Sequence, residues 1–292
     1  MTLEQLRIFV AVAEREHVTQ AAQILNLTQS AVSAAISALE RRHDVKLFDR
    51  IGRRVALTQA GRLFLGEARA LLARSRAAEQ SLADLGGLKS GALTLAASQT
   101  IGNYWLPAFL ARFAQKFPGV AVHLTIGNTH DVALLTSAGE IDLGFVEGEE
   151  DQPSLQKTTV AQDELIVVAS PALAKHYRDC AKEKMFEAPW VAREKGSGTR
   201  SAFEKAMHDF SPEAPARKIV LELPSNEAVR MAVEAGAGLA VMSHLVVAAA
   251  LDSGALVRLP CDLPKRPFYL LAHRQLYRSR AAQALIDLLG PE

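Results

Sequence analysis

Two short helical patterns separated by a tight polar turn, within TQAAQILNLTQSAVSAAISALERR (residues 19–42), constrain this chain more than any other stretch. Thr19 suits the start of the first pattern, since its hydroxyl can accept a backbone N–H left over at a helix N-terminus; Ala21, Ala22, Ile24 and Leu25 follow on one side. Asn26 breaks the pattern. Thr28 can cap a second helix in which Ala31, Val32, Ala35, Ile36 and Leu39 recur three and four apart, giving one buried stripe. The opposite face is small and polar. Gln29, Ser30, Ser33 and Ser37 lie on or near it, and short side chains of this kind let a helix approach base edges. The pair has the proportions of a helix-turn-helix; any small helical hairpin is the alternative.

The continuation VKLFDRIGRRVALTQAGRLFL (residues 45–65) favours the first reading. Arg50, Arg53 and Arg54 surround Gly52 between two apolar stretches, which predicts a β-hairpin wing. Residues 41–54 hold six basic side chains against two acidic ones, an excess suited to phosphate contacts beside a recognition helix.

Residues 3–65 resemble the N-terminal domain of LysR-type transcriptional regulators. The shared pattern comprises LEQLRIFVAVAE, the alanine pair of the first motif helix, TQSAVS, ALE, LFDR, GRR and LTQAG. By position, the resemblance implies base readout by Gln29, Ser30 and Ser33, with Arg53 and Arg54 on the backbone or minor groove; Thr28 and Arg50 complete the DNA-binding set. Many family members carry proline where Ser30 stands and a longer polar or basic residue where Ala34 stands, so no operator sequence carries over.

Composition is that of an ordinary globular chain. The 292 residues suggest about two domains, with 49% hydrophobic and 22% charged residues. Net charge is +1; residues 1–58 carry eight basic and six acidic side chains, so the remainder totals −1 and the positive surface belongs to the N-terminus. No apolar run approaches the roughly 20 residues that span a bilayer, and no leader pattern opens the chain, so no membrane partner and a cytoplasmic location are expected. Cys180 and Cys261 share no C-x-x-C or metal spacing and are expected to be reduced thiols.

From residue 58 to residue 87 the pattern predicts one long helix, capped by Thr58 and ended by Gly86 and Gly87. Phe64, Ala68, Leu71, Ser75, Ala78, Leu82 and Leu85 alternate four and three apart, a heptad seam that predicts dimerisation rather than packing on its own domain. Paired DNA-binding domains imply an interrupted palindrome as the target in double-stranded DNA. The resemblance adds tetramers built from two dimers, and RNA polymerase as a further partner.

After KSGALTLAAS (residues 89–98), strand-like segments (92–97, 120–126, 141–146, 164–169, 217–222, 238–242 and 267–273) alternate with helix-like ones (101–117, 129–138, 199–209, 225–236, 243–252 and 278–289), which predicts mostly parallel sheets covered by helices. The resemblance, which extends over nearly the whole chain, implies two α/β subdomains similar to periplasmic solute-binding proteins. The expected organisation is a winged helix-turn-helix domain (1–58), a linker helix (59–88) and an effector-binding domain (89–292). Within the last, subdomain I is expected at about 89–161 and 267–292 and subdomain II at about 162–266.

Several strand-to-helix turns are rich in hydroxyls and glycine: Ser98 with Thr100, Asn128 with Thr129, KGSGTR at 195–200, and Ser225 with Asn226. Each is also an ordinary N-cap. Helix N-termini offer free N–H groups and a positive dipole end, and ligands of open α/β sheets bind beyond the carboxyl ends of strands, so together they predict a site for a small anion such as a sulfur oxyanion or a metabolite acid. The expected effector contacts are Ser98, Thr100, Asn128, Thr129, Glu147, Ser197, Thr199, Arg200 and Ser225. Glu147 has two readings, an acceptor for a protonated ligand or the partner of a nearby base. REKGSGTR (193–200) resembles the REPGSGTR segment of a LysR subgroup that includes regulators of sulfur assimilation and carbon fixation, with Lys195 in place of proline; ASQTIGNYWLP (97–107) and FVEG (145–148) fit the same subgroup.

No catalytic pattern competes. KGSGT lacks the spacing of a phosphate-binding loop, GSG is not G-x-S-x-G, and the eight histidines form no H-E-x-x-H or metal cluster, so neither enzymatic activity, metal nor cofactor is expected. The alternative to an effector-switched regulator is a DNA-binding regulator whose C-terminal domain serves only assembly.

Overall fold

The computed structural model describes residues 1–52, 54–85, 91–148, 150–177, 185, 187–210 and 218–290. Arg53, Gly86, Gly87 and Cys180 lie outside the described residues.

Met1–Leu85 forms one compact unit. It contains α1 (Leu3–Arg15), α2 (Val18–Ile24), α3 (Gln29–His43), the antiparallel hairpin of β1 (Phe48–Ile51) and β2 (Arg54–Leu57), and α4 (Gln59–Leu85). Thr2 and Gln5 cap α1 reciprocally. His17, not Thr19, caps α2: its ring Nδ1 accepts from Gln20 N at 3.4 Å, two residues earlier than the hydroxyl pattern suggests. Asn26 does end the motif's first helix, at φ +54°. Thr28 caps α3, accepting from Ala31 N at 3.2 Å. Ala21, Ala22 and Val32 close a core with Ile8 and Val12 of α1.

The start of α4 is tied to the chain before the wing. Thr58 Oγ1 accepts from Gly61 N at 2.9 Å and donates to Lys46 O at 2.8 Å. A Cβ at Gly61 would overlap Leu47 O, so only glycine permits this approach. The heptad seam divides. Phe64 and Ala68 pack inward against Leu6, Phe9 and Leu39, with the Phe9 and Phe64 rings 4.9 Å apart, whereas Leu71, Ala78, Leu82 and Leu85 are exposed. Ala68 is thus buried within its own unit, and Phe64 is half-buried against α1.

The second unit is built on three sheets. The first, in the order β4-β3-β5-β12-β6, comprises β3 (Gly91–Ser98), β4 (Val120–Gly127), β5 (Leu143–Glu147), β6 (Leu155–Asp163) and β12 (Arg266–His273). Leu93, Leu95, Phe145 and Phe268 bury one of its faces with Phe113 of α5 (Leu106–Lys116) and Leu285 of α11 (Arg280–Leu289). Ala96, Val146 and Leu271 bury the other with Val132 of α6 (Thr129–Ser137). A π-helical turn, Ile101–Trp105, precedes α5, where a single helix over 101–117 is expected from the pattern.

The chain leaves this sheet at Asp163, enters β7 (Leu165–Ala169) and α7 (Pro171–Tyr177), and returns at Arg266. Between lie β8 (Trp190–Arg193), α8 (Gly198–Phe210), β9 (Ile219–Leu223), α9 (Asn226–Glu234), β10 (Ala240–Ser243), α10 (His244–Asp252) and β11 (Val257–Arg258). The strands pair as β10-β7-β11 and β8-β9, with a parallel bridge from Trp190 to Leu239 joining the two sets. The expectation of mostly parallel sheets is corrected: β3/β4, β3/β5 and β8/β9 are parallel, but β12 lies antiparallel to β5 and β6, and β7 antiparallel to β10 and β11. The cause is the double crossing, because strands that carry the chain out of a subdomain and back run in opposite directions. Strands 155–163 and 190–193 have no counterpart among the expected segments.

Candidate functional site

In the N-terminal unit the base-reading candidates divide by exposure. Thr28, Gln29 and Ser30 are exposed at the start of α3, with the Thr28 and Ser30 hydroxyls 3.0 Å apart. Ser33 is half-buried and, with Ser37 and Arg50, lines a cavity of about 350 Å³ between α3 and β1. Arg50 and Arg54 are exposed on the two strands of the hairpin, whose turn carries Gly52 at φ +62°.

The wing is positioned by a carboxylate near the end of α3. Glu40, 7% exposed, accepts from Leu47 N at 2.8 Å, Phe48 N at 3.2 Å and Lys46 Nζ at 2.9 Å. Burial pushes this carboxyl up, but the Lys46 ammonium and the two backbone donors outweigh it and hold it below its ordinary value. Val55 N donates to Glu16 O at 3.0 Å, tying the second strand to the end of α1.

In the second unit, the carboxyl ends of β3, β4 and β5 face the β8–α8 and β9–α9 turns, and the candidates collect there. Ser98, Thr100, Thr129, Glu147, Ser197 and Thr199 are all buried; Asn128 and Ser225 are half-buried. Ser98 Oγ donates to Glu147 Oε2, and Thr129 Oγ1 donates to Glu147 O at 2.7 Å. Asn128 Oδ1 accepts from Asp131 N at 2.9 Å and Ser225 Oγ from Ala228 N at 3.0 Å, so both act as helix caps. Ser197 closes the loop at the start of α8, its carbonyl accepting from Ser201 N at 3.0 Å.

The subdomains are joined by polar contacts. Asn226 Nδ2 donates to Thr100 Oγ1 at 3.1 Å and Asn226 N to Gln99 Oε1 at 2.9 Å, while Gln99 Nε2 donates to Pro224 O at 2.9 Å. His130 N donates to Gly196 O at 3.2 Å. Tyr104 OH donates to Glu227 at 2.8 Å; burial and then this carboxylate raise its pKa to about 12, so the phenol remains a donor through the neutral range.

The buried cations are largely occupied. Arg193 forms a two-pronged pair with Glu194 at 2.7 and 2.9 Å and donates to Asn226 Oδ1. Arg200 is turned to Glu204 at 2.7 Å, Glu222 at 3.0 Å and Arg193 O at 2.9 Å, which makes it a brace of the β8–α8 turn. Arg266, unmarked by any pattern, pairs with Asp163 at 2.7 Å, donates to Thr199 Oγ1 at 3.1 Å and stands 3.7 Å from Glu147. It begins the returning strand, directly opposite Asp163 at the end of the leaving one. No spacing rule links residues that far apart in sequence.

Among the described residues no cluster of His, Cys, Asp or Glu could hold a metal ion, and no helix is long and apolar enough to cross a membrane.

Residues 3–62 match the family described as bacterial regulatory helix-turn-helix protein, lysR family, and residues 86–292 match the LysR substrate binding domain. The chain is 35% identical over 293 residues to the uncharacterized HTH-type transcriptional regulator YeiE of Escherichia coli K12, covering 100% of this chain and 98% of the relative. It is also 35% identical over 298 residues to a probable RuBisCO transcriptional regulator of Trichormus variabilis, covering 100% of this chain and 88% of the relative. Among solved structures it resembles full-length CbnR complexed with its target DNA (TM-score 0.68, 22% identity, 99% of each chain) and full-length OxyR from Pseudomonas aeruginosa (TM-score 0.72, 23% identity, 99% of this chain and 94% of the other). With both families matched and together spanning nearly its whole length, the chain belongs to the LysR family of transcriptional regulators, whose members are DNA-binding proteins and not enzymes.

Proposed function

We propose that this regulator reads an interrupted palindrome in double-stranded DNA as a homodimer, and that a small anionic effector held between subdomains I and II switches its action on transcription. The carrying observation is the gathering of buried hydroxyls from three strand-to-helix turns at one junction whose walls are joined by hydrogen bonds. A ligand entering there must exchange contacts with both walls, so its binding is coupled to how they close. A preference of about 1–3 kcal/mol for one arrangement changes affinity elsewhere several-fold or more. The exposed leucines of α4, Leu63, Leu71, Leu82 and Leu85, support pairing through that helix. Tetramers of two dimers, and contact with RNA polymerase, would carry the switch to a promoter.

The first test is a thermal-shift screen of the full chain against small organic acids, sulfate, thiosulfate and phosphate. A ligand at about 100 times its Kd adds roughly 2.7 kcal/mol to stability. No shift with any of them would favour the assembly-only reading of the C-terminal unit.

Thr100→Val keeps the shape of a side chain with no exposed surface but leaves Asn226 Nδ2 without its acceptor. The variant is expected to lose the effector-dependent change in a DNA footprint while binding DNA as before. An unchanged response would place Thr100 outside the site.

Arg50→Ala and Arg54→Ala are each expected to weaken binding to all duplexes alike and to lower the slope of log K against log salt by about 1. Fluorescence anisotropy over a salt series checks this; a change confined to one base pair would instead assign that arginine to base readout.

A further inference from the structure

We infer that the effector is zwitterionic, with an ammonium group for Glu147 and a carboxylate for Arg266 on neighbouring carbons, as in an α-amino acid. The inference rests on the reading of the cleft as the effector site, and adds a cationic group to the anionic one proposed there. Of the buried cations there, Arg193 and Arg200 already face carboxylates, and Arg266 faces Asp163. That leaves Glu147, 2% exposed, as the carboxylate in excess: its nearest cation, Arg266, lies 3.7 Å away and makes its shorter contact, 2.7 Å, with Asp163.

The only described hydroxyl on the Glu147 carboxylate is that of Ser98, so Glu147 retains acceptor capacity. Arg266, 6% exposed, has the complementary deficit: its Nη2 is buried and without a hydrogen-bond partner. A buried guanidinium nitrogen left unmatched is costly, which makes it a docking point for an acceptor supplied from outside. An unmatched donor and an acceptor of opposite charge thus sit on two side chains in contact. A dianion such as sulfate would answer the donor but meet the Glu147 carboxylate at close range, where like charges repel in a low dielectric. An α-amino acid answers both.

The test is isothermal titration calorimetry of the full chain with three sets of probes: the L-α-amino acids, the same carbon skeletons without the amino group, and sulfate and phosphate. Binding by at least one amino acid is expected, about tenfold or more tighter than its deaminated counterpart, with the difference abolished in Glu147→Gln. Binding of deaminated acids or of sulfate, with the amino acids silent or no tighter, overturns the zwitterion while keeping an anion site. Silence from all three sets overturns the effector reading itself. The wild-type comparison between probe sets decides even if Glu147→Gln fails to fold.

Discussion

Replacing Glu40 by alanine is expected to cost the N-terminal unit about 2–3 kcal/mol and to weaken DNA binding with it. The carboxylate accepts from the backbone N–H groups of Leu47 and Phe48, where the chain turns out of α3 toward the wing. Its ion pair with Lys46 adds little, because the Lys46 side chain is 79% exposed and such pairs contribute at most about 1 kcal/mol. The cost arises from the two backbone donors left without an acceptor. Once they are free, β1 loses its anchor to the recognition helix, and Arg50 and Arg54 lose their preset position beside it. Glu40→Gln keeps one neutral acceptor and should lose about half as much. Circular-dichroism melting and anisotropy on one duplex check both variants; a Glu40→Ala protein that melts with the wild type would show that water replaces the carboxylate at no cost.

The same residue sets a pH dependence. Its folded-state pKa lies below the ordinary value of 4.5, so its contribution is present above that value and is lost as pH falls through the lowered one. Acid unfolding of the N-terminal unit should therefore be less steep in Glu40→Gln than in the wild type across that window.

What could be read from the chain and what could not follow from the range of the interactions. The cap of α3 by Thr28, the break at Asn26 and the hairpin at Gly52 depend on neighbours within four residues, and local patterns report them. Glu40 escaped because its partners lie six to eight residues on, across a turn whose path no periodicity encodes. The heptad of α4 shows as spacing, but spacing does not say which helix covers it; Phe64 and Ala68 face α1, and Leu71, Ala78, Leu82 and Leu85 are exposed. In the second unit, hydroxyl-rich turns point to a collection of helix starts, yet they do not separate caps such as Ser225 from buried groups such as Thr100. Arg200 belonged to a distinctive segment and proved to be a brace, whereas Arg266 and Asp163, with no motif at all, meet at the crossing between subdomains. Such long-range charge pairs depend on topology, and the antiparallel return of β12 is the feature that strand-and-helix alternation conceals.

Gly198→Ala is expected to separate the two walls of the cleft, lowering the stability of the C-terminal unit by about 3 kcal/mol and its affinity for any effector with it. Gly198 opens α8 in subdomain II, and a Cβ there would overlap the carbonyl oxygen of Glu147 and come within 2.8 Å of its Cγ. Backbone cannot yield as the end of a flexible side chain does, so the collision must be relieved by moving β5 away from α8. Gly148 reinforces the constraint: it sits at φ +102°, and its own added Cβ would lie 3.2 Å from Gly198 Cα. Two glycines in contact let the end of β5 touch the start of α8, and that contact brings Thr199 within reach of Arg266 and places Arg266 beside Glu147. Both tryptophans of the chain, Trp105 and Trp190, belong to this unit, one in each subdomain, so urea unfolding followed by their fluorescence reads the effect directly. A lower midpoint with an unchanged slope is the expected result, since the change is in stability and not in the surface exposed on unfolding. A midpoint and effector affinity equal to those of the wild type would mean that the walls open without penalty, and that closure of this cleft cannot be what an effector controls.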